Sequence, residues 1–207
     1  MVLVLIGSPG CYQLTTASCL CDVPDIGVSN TPGAVDEATA TTAVYLLIAT
    51  MRNFSQGEQV LRNGGFAPCP DIEARSNDLS GKTVGILGLG NIGITFAKMI
   101  QPFGMKVLYH NRKESPNAPD FVTYVSDLSE MLKQVDVLSV HMPLSPATTK
   151  FVDEKEIRTM KKGSIIINTA RGKIIDEEAM IRALEDGHVS GGLIVALQSA
   201  TWLTTPH

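Results

Sequence analysis

Three glycines, Gly88, Gly90 and Gly93, have the spacing of a loop that can hold the phosphates of a dinucleotide. An apolar, strand-like stretch precedes them and a stretch with helical periodicity follows. In that setting Gly88 permits a tight turn, Gly90 lets the backbone approach a pyrophosphate, and Gly93 lets helix and strand pack closely. The amides of Asn91, Ile92 and Gly93, at the positive end of the helix, would face the phosphate oxygens. We therefore predict a dinucleotide site, with glycines that serve packing alone as the alternative.

The end of the next predicted strand indicates which dinucleotide fits. Residues 110–114 read His-Asn-Arg-Lys-Glu. A carboxylate at this place binds the adenosine ribose of NAD, whereas a cation accommodates the 2′-phosphate of NADP. Asn111, Arg112 and Lys113 are therefore expected to contact the cofactor, and the two cations favour NADP over NAD. The alternative is a solvated cluster in which Glu114 pairs with Lys113 or itself binds the ribose.

Strands and helices alternate along the chain around these residues. Apolar runs predict strands, and periodic stretches predict helices. The predicted strands cover 1–7, 82–88, 105–110, 136–142 and 164–170, and the predicted helices cover 34–54, 91–104, 153–161 and 176–187. Residues 55–80 are polar and contain Gly and Pro, which indicates a surface excursion. The pattern predicts the α/β class, with a doubly wound parallel sheet covered by helices on both faces.

Composition narrows the function classes. The chain has 207 residues, of which 44% are hydrophobic, so it can bury a core. A net charge of −4 argues against nucleic acid or an anionic membrane as a partner. The four cysteines lack the two-residue gap typical of zinc or redox sites, so we expect no metal site and a cytoplasmic location. The apolar start is too short to span a bilayer.

Three longer motifs resemble one family. "DLSGKTVGILGLGNIG", "VHMPLSP" and "IINTARGKIIDEEAMIRAL" occur in that order, and the chain resembles the D-isomer-specific 2-hydroxyacid dehydrogenases, in particular their glyoxylate and hydroxypyruvate reductase branch. The resemblance implies reduction of a 2-oxo acid with NAD(P)H in a cleft between two domains. By this resemblance residues 1–30 are a remnant of the substrate domain, 31–193 are the dinucleotide-binding domain, and 194–207 are a divergent tail.

The same resemblance assigns residues to the nicotinamide half of the cofactor. It implies that Pro143, Thr169 and Arg171 approach the nicotinamide, and that Arg171 also holds the substrate carboxylate with its guanidinium fork. The alternative for Arg171 is a helix cap or a surface ion pair. The helix at residues 43–53 would be the hinge and dimer contact. Through its apolar surface at 43–51 the chain would form a homodimer or pair with a full-length relative.

The proton donor is expected in the last residues. By resemblance the final Thr-Pro-His places His207 in that catalytic role. No Asp or Glu follows Asp186, so the carboxylate that would raise the pKa of this histidine is absent. We therefore expect weak or no turnover, and the alternative function is a non-catalytic module that binds dinucleotide or pairs with a relative. His141 is expected to be packed or next to the cofactor.

Overall fold

The described part of the chain contains a six-stranded parallel sheet. The computed structural model describes residues 32–65 and 76–194. Its strands are β1 (Thr83–Leu87), β2 (Lys106–His110), β3 (Val122–Tyr124), β4 (Val137–Val140), β5 (Ser164–Asn168) and β6 (Val189–Ile194). The order across the sheet is β3-β2-β1-β4-β5-β6, and every neighbouring pair is parallel. This order reverses direction between β1 and β4, which is where open sheets of this class form a ligand crevice.

Helices cover both faces of the sheet. They are α1 (Asp36–Met51), α2 (Phe54–Arg62), α3 (Asn91–Ile100), α4 (Leu128–Leu132), α5 (Glu154–Thr159) and α6 (Glu177–Glu185), with single 3₁₀ turns at Gln101–Phe103 and Gly172–Ile174. One apolar core joins α1 and α3 to the sheet and a second joins α4, α5 and α6 to it. Alternate residues of β5 enter alternate cores, Ile165 and Ile167 the first and Ile166 the second. The predicted α/β class is confirmed.

The apolar surface of α1 is largely used inside the chain. Its buried residues are Ala40, Ala43, Leu46, Leu47, Ala49 and Met51, and all of these except Ala49 belong to the core that contains α3. Part of the predicted contact surface at 43–51 is therefore covered inside the chain, and the pairing with a second copy or a relative stays a prediction. The large apolar side chains left exposed near it are Tyr45 (64%), Phe54 (55%) and Leu61 (57%), the last two on α2.

Several elements differ from the sequence prediction. The helix α2 lies within the segment expected to be a surface excursion, although none of its residues is buried. The short elements β3 and α4, and the glycine-containing strand β6, were not predicted. The expected strand at 1–7, the expected substrate-domain remnant and residues 195–207 of the tail lie outside the described residues. None of the helices in the described ranges has the length and apolar character required to cross a membrane.

Candidate functional site

The glycine loop after β1 combines two tight positions with one open one. Gly88 has φ +99°, and a Cβ there would lie 2.8 Å from the Met142 amide nitrogen. A Cβ on Gly93 would lie 2.7 Å from the Gly88 carbonyl oxygen, whereas a Cβ on Gly90 would meet nothing within 4 Å. Gly88 and Gly93 are thus required by the protein's own packing, while the space at Gly90 is open to a ligand.

The start of α3 presents backbone amides next to this open space. Within the described residues, the first hydrogen bond of α3 runs from the Ile94 amide to the Gly90 carbonyl at 2.8 Å. The amides of Asn91, Ile92 and Gly93 precede it and have no acceptor within the helix. Such amides and the helix dipole favour an anion at this place.

The loop after β2 is tied to the glycine loop. The Leu89 amide donates to Asn111 Oδ1 at 2.8 Å, and the Tyr124 hydroxyl donates to the Asn111 carbonyl at 3.3 Å. Arg112 and Lys113 are exposed, and within residues 32–65 and 76–194 neither of them forms an ion pair, so Lys113 is not paired with Glu114. Arg112 and Lys113 therefore lie at the surface on a loop that is tied to the glycine loop by the bond between Asn111 and Leu89.

The turn after β5 is built around a buried amide. Asn168 is 1% exposed. Its Nδ2 donates to the Arg171 carbonyl and its Oδ1 accepts from the Ala170 amide, both at 2.9 Å. Arg171 Nη1 donates to the Ala170 carbonyl at 2.8 Å. Asn168 thereby fixes the backbone that carries Thr169 and Arg171.

The loop after β4 is joined to this turn. Its Thr148 hydroxyl donates to the Pro143 carbonyl at 2.8 Å. The Lys150 amide donates to the Lys173 carbonyl at 2.8 Å, and Lys150 Nζ lies 3.0 Å from Asp176 Oδ2. This bond to Lys150 is the main reason why the pKa of Asp176 is below its usual range. The two loops are therefore held as one unit.

A cavity of about 190 Å³ lies where these segments meet. It is lined by Val35, Thr39, Ile92, His141, Met142, Pro143, Leu144, Thr169, Ala170 and Arg171. Four of the predicted site residues, Ile92, Pro143, Thr169 and Arg171, are thus brought together. The other described ones, at the glycine loop and after β2, lie outside its lining, and His207 lies outside the described residues.

His141 lines the cavity and is packed, in agreement with the expectation from the sequence, but its contact with Ser139 was not predicted. Its Nε2 lies 2.8 Å from the Ser139 hydroxyl oxygen, and its ring packs on Phe96 with centroids 5.2 Å apart. Burial lowers the pKa of His141 to about 4, so the ring is neutral near pH 7. Although the residue keeps part of its surface exposed, Nδ1 is buried without a hydrogen-bond partner, and so is Thr169 Oγ1. The signal in the sequence was the Ser-x-His pattern on one strand, because alternate residues share a face.

Two other histidines have structural partners. A ring nitrogen of His110, Nδ1, is 2.9 Å from the Val125 carbonyl oxygen, and His188 Nε2 is 3.0 Å from that of Ile157. They lie at the end of β2 and after α6. In the described part of the chain, no three His, Cys, Asp or Glu side chains cluster as metal ligands would.

Comparison with known proteins identifies relatives of this arrangement. Residues 44–194 match the family model described as "D-isomer specific 2-hydroxyacid dehydrogenase, NAD binding domain". The glyoxylate reductase of Thermococcus litoralis is 38% identical over 175 residues, which cover 80% of this chain and 52% of that protein. The chain spans about half the length of the curated relatives it matches.

Solved structures give the same result. A glyoxylate reductase from Paecilomyes thermophila superposes with a TM-score of 0.76 at 40% identity, over 84% of this chain and 52% of that one. A formate dehydrogenase from Granulicella superposes with a TM-score of 0.85 at 32% identity, over 99% and 56% of the two chains. Sequence and fold therefore indicate the same group of proteins.

Proposed function

This chain belongs to the D-isomer-specific 2-hydroxyacid dehydrogenase family, and we propose that it reduces a small 2-oxo acid, such as glyoxylate or hydroxypyruvate, by hydride transfer from NADPH or NADH. The observation that carries the proposal is the cavity in which Ile92, at the start of α3, and Arg171 are both lining residues. A ligand whose phosphates bind at the glycine loop can extend from Ile92 into the cavity beside Arg171. The chain also matches relatives named as glyoxylate reductases.

The residues at the glycine loop fit a dinucleotide. The open space at Gly90 admits a pyrophosphate, and the tight contacts of Gly88 and Gly93 explain why the flanking positions lack side chains. The amides of Asn91, Ile92 and Gly93 would donate to its oxygens. A bound cofactor would supply the hydride. Pro143 and Thr169 are proposed to contact its nicotinamide end.

Arg171 is proposed to bind the substrate. A guanidinium holds a carboxylate by two parallel hydrogen bonds and polarises an adjacent carbonyl. The turn bonds of Asn168 fix the backbone of this residue, so that the fork is presented from a rigid segment. His207 is proposed as the proton donor, with water as the alternative, because an alkoxide formed by hydride transfer needs a proton as it develops.

NADP is proposed as the preferred cofactor. Arg112 and Lys113 are exposed after β2, and the residue at the strand end itself is His110, so no carboxylate lies where a ribose of NAD would be held. A guanidinium and an ammonium beside each other suit a 2′-phosphate. This preference supports a reductive role, in which NADPH is the donor.

Two further proposals concern assembly and location. Tyr45, Phe54 and Leu61 are exposed apolar side chains on α1 and α2, and a homodimer, or pairing with a full-length relative, would cover them. A cytoplasmic location is supported by the four cysteines without metal or redox spacing. Fractionation of cells that express the tagged chain tests the location.

Titration of the purified chain tests the function. We expect NADPH and NADH to bind in calorimetry, and absorbance to fall slowly when glyoxylate or hydroxypyruvate is added. Arg171→Lys keeps the charge but loses the fork, so it should raise the KM for the acid by a larger factor than it weakens cofactor binding. Binding without oxidation of any 2-oxo acid would favour the alternative, a non-catalytic dinucleotide-binding module. Failure of both cofactors to bind would contradict the proposal.

A further inference from the structure

One ring nitrogen of His141 is bound by the protein and the other is not. Ser139 lies two residues earlier on β4, is completely buried, and holds Nε2 at 2.8 Å. Phe96 of α3 packs on the ring. These contacts fix the ring plane, so the position of Nδ1 is fixed as well. Nδ1 is buried, has no hydrogen-bond partner and belongs to a residue that lines the cavity.

The ring environment keeps this nitrogen uncharged. The ring contacts the Ser139 hydroxyl and the phenyl ring of Phe96, and burial lowers the pKa of His141. Within the described residues, Arg171 is the charged side chain that lines the same cavity. Among the residues that the structure describes, no carboxylate lines the cavity, so His141 is suited to a neutral hydrogen bond and not to proton donation.

We propose that His141 selects the nicotinamide end of the cofactor by a neutral hydrogen bond from Nδ1 to its carboxamide. This inference rests on the proposed function, because it presumes that a nicotinamide dinucleotide occupies the cavity. A buried polar atom without a partner costs stability, and native proteins leave few of them unsatisfied. A ligand that supplies the missing partner recovers that cost on binding.

The carboxamide is the ligand group that matches the cavity. A neutral imidazole is a donor at one nitrogen and an acceptor at the other, and a carboxamide carries both an N–H donor and a C=O acceptor, so it suits either tautomer. Thr169 Oγ1 is a second buried atom without a partner in the same lining, and a hydroxyl also donates and accepts. The carboxylate of a 2-oxo acid can only accept hydrogen bonds, and Arg171 offers it a charged donor. The substrate carboxylate and the nicotinamide carboxamide are therefore expected to bind at different side chains.

The test compares NADPH with 2′-phospho-ADP-ribose, which is the same ligand without the nicotinamide. His141→Phe keeps a ring that can pack on Phe96 but has no nitrogen. We expect it to weaken NADPH binding roughly tenfold, as loss of a buried hydrogen bond does, and to leave 2′-phospho-ADP-ribose binding unchanged. Ser139→Ala releases the ring and should weaken NADPH in the same selective way, by less. His141→Asn restores an amide that can donate and accept, and should recover part of the affinity.

The outcomes separate this inference from the function it rests on. If wild-type chain binds NADPH tightly but His141→Phe leaves the difference between the two ligands unchanged, the role of His141 is overturned and cofactor binding stands. Equal loss of both ligands in His141→Phe would mean that the ring only supports the fold, which also overturns it. If the wild-type chain binds neither ligand, the proposed function and this inference fail together. Circular dichroism of each variant identifies a loss of folding. If His141→Phe does not fold, the comparison of the two ligands in Ser139→Ala decides whether the ring position matters for NADPH binding.

Discussion

The side-chain oxygen of Asn111 accepts a hydrogen bond from the Leu89 amide at 2.8 Å. Asn111 is predicted to contact the cofactor, and its Oδ1 also supports the loop that would hold the phosphates. Leu89 lies between Gly88 and Gly90, so this bond fixes the middle of the glycine loop from the neighbouring strand. The side chain of Asn111 therefore affects the whole glycine loop. The cations Arg112 and Lys113 can affect only the part of the ligand that extends beyond this loop.

Asn111→Ala should weaken NADH and NADPH alike. The substitution leaves the Leu89 amide without its acceptor and loosens the loop, at a cost of about 1 kcal/mol in binding, or roughly fivefold. Calorimetry with both cofactors measures it. Asn111→Asp is the matched control, since it keeps the acceptor oxygen. Its added charge should disfavour the 2′-phosphate and shift preference towards NADH. A loss confined to NADPH in Asn111→Ala would contradict the supporting role.

Arg112→Ala should weaken NADPH much more than NADH. The guanidinium is expected to pair with the 2′-phosphate, which NADH lacks, and charge-assisted bonds are worth about 1.5–3 kcal/mol. Binding should become less sensitive to salt in the variant. Lys106→Ala, which removes an exposed cation from the other end of β2, should change neither affinity. Equal losses for the two cofactors would remove the argument for NADP.

Gly90→Ala should separate binding from stability. A methyl group at Gly90 meets no protein atom within 4 Å, so the melting temperature should be unchanged while cofactor affinity falls at least tenfold because the backbone can no longer approach the phosphates. Gly88→Ala should instead destabilise the chain by more than about 1–2 kcal/mol, since its left-handed backbone disfavours a Cβ. Thermal melts and calorimetry on both variants test this. Unchanged cofactor affinity in a folded Gly90→Ala chain would argue against phosphate binding at the glycine loop.

Stability should fall with acid in a window set by His141. The pKa of this histidine is lowered from 6.5 to about 4 by burial. Between these values the unfolded chain binds a proton that the folded chain does not, so the free energy of unfolding decreases as pH falls, by up to about 1.4 kcal/mol per pH unit. Above pH 6.5 this contribution is complete and constant. Denaturant unfolding across this range measures it, and His141→Phe should flatten the slope. An identical slope in that variant would show that other groups cause it.

The exposed apolar residues of α2 should govern association. Replacing Phe54 and Leu61 together with serine should convert a dimer to a monomer without loss of helix content, because neither side chain is buried in the chain. Gel filtration with light scattering at several concentrations measures this. Gln59→Ser, on the same helix, is the control and should leave the assembly unchanged. A wild-type chain that is monomeric at all concentrations would end the proposal.

The elements that the sequence predicted are those whose residues are buried. Continuous apolar runs such as those of β1 and β5 are stable only in the buried interior of a sheet. Their strands were therefore predicted to within two residues. The helix α2 was missed because it buries nothing, and its composition resembles that of a loop. The strand β6 was missed because of its glycines. At Gly191 a Cβ would lie 2.5 Å from Thr50 Cγ2 of α1, a contact between distant parts of the chain that no local pattern reports.

The site was predictable where a motif is continuous and not where the fold brings partners together. Thr169 and Arg171 follow one another closely in sequence, and both line the cavity. The significance of His141 depends on a buried serine on the same strand and on a phenyl ring 45 residues earlier in α3. Likewise, the bond between Asn111 and Leu89 depends on β1 and β2 lying side by side.

The close approach of Gly88 to Met142 has a consequence for how this protein can vary. A Cβ at 88 would lie 2.8 Å from the amide nitrogen and 2.9 Å from the Cα of residue 142, so the phosphate loop and the loop that leads to Pro143 are in backbone contact. Exchanging side chains at Met142 cannot make room for a larger residue at 88, because the obstacle is main chain. Substitutions in the two loops should therefore be epistatic, and transplanting either loop alone from a relative should fail where transplanting both succeeds.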